Sequence, residues 1–241
     1  MEPVLFYGIP HGCSFGSIVA LEWLGQPYRL CRIDMMDPAV TQAYRRLNPA
    51  AKTPALVLAD GSLLTESLAI LNHLAARDLG RRLTFAQGTP AFDRVNRMMA
   101  FLVTGLFAAF SPGWAAFKLG ADQQDRIAFL RGMARSEAAK CYARLEALLA
   151  DRAWLVGDGR TIADGYLAGI ARWGEDLGLF DLAREYPNLH AHLERLRADP
   201  AVAFAQAIED GRPAVTSGGF LGEVALSRLE WSEGKDRIVV A

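Results

Sequence analysis

The chain is poor in the features that mark secreted, metal-binding or nucleic-acid-binding proteins. Of 241 residues only three are cysteine, Cys13, Cys31 and Cys141. That is too few, and odd in number, for a disulfide framework, so a reducing compartment, the cytoplasm, is expected. Charge of one sign is not in surplus: 26 Lys and Arg face 27 Asp and Glu. Without a basic footprint, nucleic acid is not an expected partner. No basic leader or long apolar segment follows Met1, so no secretory signal is read. Metal-ligand spacing is missing too. His190 and His192 stand two apart, on different faces of a helix, and no zinc-type pairing of Cys and His occurs. A Gly-rich Lys-Ser loop for nucleotide phosphates is also lacking. One uncharged run, residues 98–117, is twenty residues long and would span a bilayer by length. Ser111-Pro112-Gly113 interrupts it, so it reads as a buried helix followed by a break, with no membrane partner.

What is present is ordinary globular composition, 51% hydrophobic and 22% charged, enough apolar surface to bury a core. Residues 4–7, Val-Leu-Phe-Tyr, read as a buried strand bounded by Gly8 and Pro10. A helix is predicted over 14–24, with Ser14 as its cap and Gly25 and Pro27 beyond its end. A strand over 28–33 and a short helix over 38–47, stopping before Asn48-Pro49, come next. Residues 55–58 and 62–64 flank Asp60-Gly61, a pair suited to a tight hairpin, and Leu68, Leu71, Leu74 and Ala75 repeat at helical spacing as far as about residue 78. This order predicts a small α/β domain over 1–80.

Beyond Gly80 strand signals vanish. With 81–90 as linker and Gly88-Thr89-Pro90 at the junction, an all-helical domain is predicted over 91–212. Its sharpest local signal is Thr161-Ile162-Ala163-Asp164, a capping-box variant that opens an apolar and hence central helix. Residues 213–241 read as a tail, a loop over 214–219 and then a segment too apolar for disorder, which should pack on the body or on a neighbouring subunit.

Four segments together resemble the cytosolic glutathione transferase family: Cys13-Ser14 after the first strand, residues 48–56 (Asn-Pro-Ala-Ala-Lys-Thr-Pro-Ala-Leu), residues 64–70 (Leu-Thr-Glu-Ser-Leu-Ala-Ile), and the 161–164 box. The resemblance covers roughly residues 3–205. It implies an α/β plus all-α fold, a thioredoxin-like N-terminal domain followed by a helical-bundle C-terminal domain. It also implies glutathione as co-substrate, no metal, a homodimer, and a small hydrophobic electrophile as the second substrate. A cis bond at Thr53-Pro54 would leave the backbone of Thr53 free to pair with the cysteinyl part of glutathione. Glu66 and Ser67, at a helix start, would answer the ammonium and the carboxylate of the γ-glutamyl group, and Lys52 the glycyl carboxylate. Read from residues alone, these are a trans proline opening a strand, an ordinary capped helix start, and a solvated lysine.

Tyr7, Cys13 and Ser14 are the candidates for contact with the glutathione sulfur. Gly12-Cys13-Ser14 looks most like the bacterial branch that carries an active-site Cys. That branch also has a His-Lys pair in the first long helix of its second domain, and residues 105–110 here read Gly-Leu-Phe-Ala-Ala-Phe instead. The preferred reading is therefore that Ser14 supports the thiolate with Cys13 as a half-buried neighbour; the alternative is that Cys13 works alone. Phe107, Phe110, Trp114 and Phe117 either line an apolar cleft or form core or interface. Three functions remain open: conjugation of glutathione to a hydrophobic electrophile, thiol transfer or reduction through Cys13, and non-catalytic glutathione binding or interaction.

Overall fold

The computed structural model describes residues 1–80, 82–232 and 237–240. Two compact units form, one from Met1–Leu83 together with Asp199–Ala241, the other from Thr84–Ala198. The division differs from the 91–212 helical domain and separate tail read from the sequence. The helix at 200–209 and the tail belong with the α/β unit, because they pack on it rather than on the helices that precede them in the chain.

In the first unit the order is β1 (Val4–Ile9), α1 (Phe15–Leu24), β2 (Pro27–Asp34), α2 (Pro38–Tyr44), β3 (Ala55–Val57), β4 (Leu63–Thr65) and α3 (Ser67–Arg77). The sheet runs β4-β3-β1-β2 and gains a fifth strand at its end from the tail, β5 (Gly219–Glu223). β1 and β2 are parallel, β3 is antiparallel to β1 and to β4, and β5 is parallel to β2. Alternation along β1 and β2 puts Val4, Phe6, Cys31 and Ile33 on one face. The later tail hairpin, β6 (Leu229–Ser232) with β7 (Arg237–Val240), adds Leu229 and Ile238 to that same cluster. Burial pushes the Cys31 thiol up to about 12.

The tail is held on the other face by an acid. Glu22 of α1 is buried, and its carboxylate accepts from the Tyr28 hydroxyl at 2.5 Å, Ser217 N at 2.7 Å, Gly218 N at 2.9 Å and the Thr216 hydroxyl at 2.9 Å. A buried carboxylate persists only when its lone pairs are filled this way. Gly218 lies so close that a Cβ there would meet Glu22 backbone at 2.6 Å.

The second unit holds α4 (Pro90–Phe101), a π-helical segment (Leu102–Phe107), α5 (Ser111–Phe117), α6 (Gln124–Leu149), α7 (Ile162–Ile170), α8 (Trp173–Asp176), α9 (Leu182–Glu185) and α10 (Pro187–Arg197). Helix α11 (Pro200–Glu209) is the one that returns to the first unit, where it packs on α1. Thr89 caps α4, its hydroxyl accepting from Phe92 N at 3.3 Å. The π segment begins where the Thr104 hydroxyl bonds back to the Ala100 carbonyl at 2.8 Å, a bond that loosens the helical ladder. By length and hydropathy Pro90–Phe117 would cross a membrane; in this unit Met98, Leu102, Leu106 and Phe110 of that stretch are buried. The Thr161/Asp164 capping box forms as expected, and every residue of α7 is buried. Asp164 also meets His192 Nε2 at 3.2 Å, while His192 Nδ1 faces the Ala153 carbonyl at 3.0 Å.

Candidate active site

The end of β1, the start of α1, the turn into β3 and the start of α3 meet in the first unit. Thr53-Pro54 is a cis bond, as is Ile9-Pro10. Between them the chain relies on the absence of side chains. A Cβ on Gly8 would lie 2.2 Å from Thr53 Oγ1, and one on Gly12 would lie 2.9 Å from the Gly8 carbonyl. The loop before Thr53 is tied down by its neighbours, since the Lys52 carbonyl accepts from Asn48 Nδ2 at 2.9 Å and the Tyr44 hydroxyl at 3.0 Å. The Lys52 side chain itself is exposed.

Cys13 is the sulfur at this corner. Its thiol donates to the Thr53 carbonyl at 3.4 Å, and the Ser67 hydroxyl donates to Sγ at 3.7 Å. Burial pushes the Cys13 thiol above its ordinary range, the Ser67 hydrogen bond pulls it down, and the Glu209 and Glu66 carboxylates push it up again. Cys13 is thus a neutral thiol and a hydrogen-bond donor.

Glu66 stands next to this corner at φ 71, a left-handed conformation that costs a non-glycine residue energy and is kept where the surroundings hold it. Its side chain is exposed and does not cap α3, though its carbonyl takes Ile70 N at 3.0 Å. The N–H groups of the first turn of any α-helix, α3 included, have no intrahelical partner, and at this turn the Ser67 hydroxyl stands next to Cys13.

The hydroxyls of the other two sulfur-contact candidates have partners of their own. Ser14 is 0% exposed, and its hydroxyl turns back to accept from Gly8 N at 3.1 Å instead of capping α1. Ser14 thus holds the loop through Gly8 N, and Cys13 is the group bonded to Thr53 and Ser67. Tyr7 is also 0% exposed; its hydroxyl donates to Glu223 Oε1 of β5 at 2.6 Å. Burial and the Glu223 carboxylate push the Tyr7 phenol up, with Arg32 opposing them. Sequence reasoning missed Gly8, Glu209 and Glu223. The last two come from the far end of the chain, and no local pattern links them to residue 13 or 7.

In the second unit Phe107, Phe110 and Trp114 gather on Trp173, with ring centroids 5.5, 5.9 and 5.4 Å away. Phe110 is wholly buried and is core; Phe107 and Trp114 are half-buried; Phe117 is 55% exposed.

A cis-proline turn facing a cysteine at a helix start, on a β4-β3-β1-β2 sheet followed by a helical unit, defines a thioredoxin-like domain joined to an all-helical one. Comparison with known proteins gives the family. The chain matches the glutathione S-transferase N-terminal domain over residues 17–82 and the glutathione S-transferase C-terminal domain over 115–200. It is 34% identical to glutathione S-transferase GST-4.5 of Xanthomonas campestris pv. campestris, over 83% of this chain and 95% of that protein. It is 28% identical to glutathione S-transferase GstA of Escherichia coli O157:H7, over 85% and 98%. A sphingomonad glutathione S-transferase solved in complex with glutathione superposes with a TM-score of 0.74 at 27% identity, covering 86% of this chain and 98% of that one. The chain belongs to the glutathione S-transferase family and is a transferase of that kind.

Proposed function

We propose that the chain binds glutathione at the corner of Thr53, Cys13 and Ser67 and joins its sulfur to a small hydrophobic electrophile. The supporting observation is that the Thr53 carbonyl and the Ser67 hydroxyl converge on one thiol, at 3.4 and 3.7 Å. In this reading the Thr53 backbone pairs strand-fashion with the cysteinyl unit. Ser67 and the open N–H groups of α3 take the γ-glutamyl carboxylate, Glu66 the ammonium and Lys52 the glycyl carboxylate. A glutathione-bound relative of the same fold supports glutathione as co-substrate. A cytoplasmic homodimer is the setting that accompanies this reading.

The chemistry follows from the protonation of Cys13. A neutral thiol donates S–H to the incoming sulfur, and hydrogen bonding to a charged form favours that form. The glutathione thiol then yields its proton to solvent, and its thiolate lone pair makes the carbon–sulfur bond as the leaving group departs. Glutathione's free thiol titrates near ~8.5, so a fall of about two units makes the thiolate the main species at pH 7. Holding both reactants together supplies the rest of the acceleration. Phe107 and Trp114 are the half-buried aromatics suited to an apolar co-substrate.

The placement of Cys13 also favours a second reading, thiol exchange, in which a Cys13 thiolate attacks a glutathione mixed disulfide, forms Cys13–S–S–glutathione and releases the other thiol. Cys13→Ser and Cys13→Ala separate the two. Conjugation of glutathione to an aryl halide should persist in Cys13→Ser, which keeps a donor, and fall about ten-fold or more in Cys13→Ala. If exchange disappears in both while neither changes conjugation, Cys13 serves exchange alone. Retention on immobilised glutathione with no turnover in the wild type would leave only a binding role.

A further inference from the structure

The loop that carries Cys13 also carries an imidazole. His11 stands two residues before Cys13, directly after the cis Ile9-Pro10 bond, and holds φ at 35. A left-handed backbone is costly for a residue with a Cβ, and glycine would adopt it freely. Such strain persists where the surroundings over-determine it, and it clusters at working sites.

The end of α11 supplies those surroundings. Helix α11 packs on α1, and its last residue and its cap serve two neighbours in the loop. The Glu209 carboxylate acts on Cys13. Asp210 Oδ1 stands 3.9 Å from His11 Nε2, with side chains 29% and 34% exposed. Asp210 is itself held by Arg212 Nη2 at 2.8 Å and Gln206 Nε2 at 3.1 Å. Burial opposes its ionisation, but these hydrogen bonds, with the charges of Arg212 and His11, outweigh it and keep the carboxyl below its ordinary range. A fixed carboxylate beside an imidazole stabilises the imidazolium that forms when the ring takes a proton. The other charged groups around the loop are Glu66, which also acts on Cys13, and Arg32 of β2, whose Nη1 would lie 3.3 Å from a Cβ on Gly211.

We propose that His11 is the base that takes the proton of the glutathione thiol, a step that rests on the conjugation reading above. The S–H bond breaks and an N–H bond forms on the imidazole. The electron pair stays on sulfur, held there by the Cys13 thiol, and closes the carbon–sulfur bond as the leaving group departs with its own pair. The imidazolium faces Asp210 and, being about one-third exposed, hands its proton to water. His11 is thus the route by which the thiol proton reaches solvent.

The test is steady-state conjugation of glutathione to an aryl chloride by the full chain at pH 7 and pH 9. His11→Asn, whose new side chain tolerates a left-handed backbone, should lower kcat at pH 7 by about ten-fold or more. At pH 9, where glutathione ionises in water unaided, the loss should shrink to within about two-fold. KM for glutathione should stay within about two-fold of wild type, which a displaced loop would not allow. His11→Gly relieves the backbone, yet it should be as slow at pH 7 and regain activity when free imidazole is added. Asp210→Asn should show the same pH-dependent loss in weaker form. A loss of equal size at both pH values overturns the proposal, as do His11 variants that match the wild type at pH 7. So does a Glu209→Gln variant that alone carries the pH-dependent loss, because the buried carboxylate would then be the base. A wild type that binds glutathione without turnover removes the conjugation reading and this proposal with it, whereas unaltered His11 variants of an active enzyme remove this proposal alone.

Discussion

Glu22→Ala tests how the C-terminal tail is fastened. In the wild type one carboxylate gathers the Tyr28 hydroxyl from β2 and Thr216, Ser217 and Gly218 from the tail, at 2.5 to 2.9 Å for the shortest bond to each. Alanine leaves the Tyr28 hydroxyl, on a side chain that is 0% exposed, without its acceptor; an unmade hydrogen bond of this kind costs about 1–3 kcal/mol. Loss of charge-assisted bonds to the tail adds about 1.5–3 kcal/mol. The expected destabilisation is about 3–5 kcal/mol, in the range seen when one partner of a buried charged pair is removed. Glu22→Gln should cost only about 1 kcal/mol, since its amide can turn its oxygen to the tail N–H groups and its nitrogen to the Tyr28 hydroxyl. Urea unfolding of Glu22→Ala, Thr216→Val and the double variant closes a cycle, and a coupling of about 1–2 kcal/mol is expected between residues 194 positions apart in the chain. Additive losses, or a Glu22→Ala variant within about 0.5 kcal/mol of wild type, would refute the latch.

Three further outcomes follow from the same structure. Ser14→Ala should lower stability by about 1–3 kcal/mol, because it strips Gly8 N of its buried acceptor, while the pH profile of conjugation keeps its midpoint; a displaced midpoint would return Ser14 to the chemistry. Cys13 should react with iodoacetamide more slowly than free cysteine at pH 8, and Ser67→Ala should slow it further, because the Ser67 bond is what lowers the thiol. Alkylation as fast as free cysteine contradicts that. Cys31 keeps its proton up to about 12 in the folded chain, against an ordinary thiol in the unfolded one. Stability from its neutral form is intact below the unfolded value near 9 and drains as pH rises toward 12, at up to about 1.4 kcal/mol per unit. Cys31→Ala should flatten that alkaline slope in urea melts, and an unchanged slope counts against the burial argument.

Period and punctuation carried the local elements. Asp60-Gly61 turns the β3–β4 hairpin with Gly61 at φ 88, Gly25 ends α1 at φ 70, and Thr161/Asp164 caps α7. These are legible because the residues involved are three or four apart and their preferences are conformational. Ser14 misled for the opposite reason. It has the chemistry of a helix cap, yet a tertiary partner, Gly8 N, takes its hydroxyl. The tail was legible as apolar but not as a strand. Residues 219–223, Gly-Phe-Leu-Gly-Glu, have little strand propensity of their own, and they extend because β2 offers an open edge. Tyr7 shows the same limit at the site. Its fate is set by Glu223, more than two hundred residues away, and nothing in spacing reports such a contact.

The central claim is that Cys13, rather than Ser14 or Tyr7, meets the glutathione sulfur. The most direct measurement is a crystal structure of the chain with glutathione bound. The account predicts the glutathione sulfur within hydrogen-bonding distance of Cys13 Sγ, with the cysteinyl backbone paired to Thr53 and the γ-glutamyl carboxylate on Ser67. A sulfur seated on the Ser14 or Tyr7 hydroxyl, with Cys13 still bonded to the Thr53 carbonyl, would contradict it.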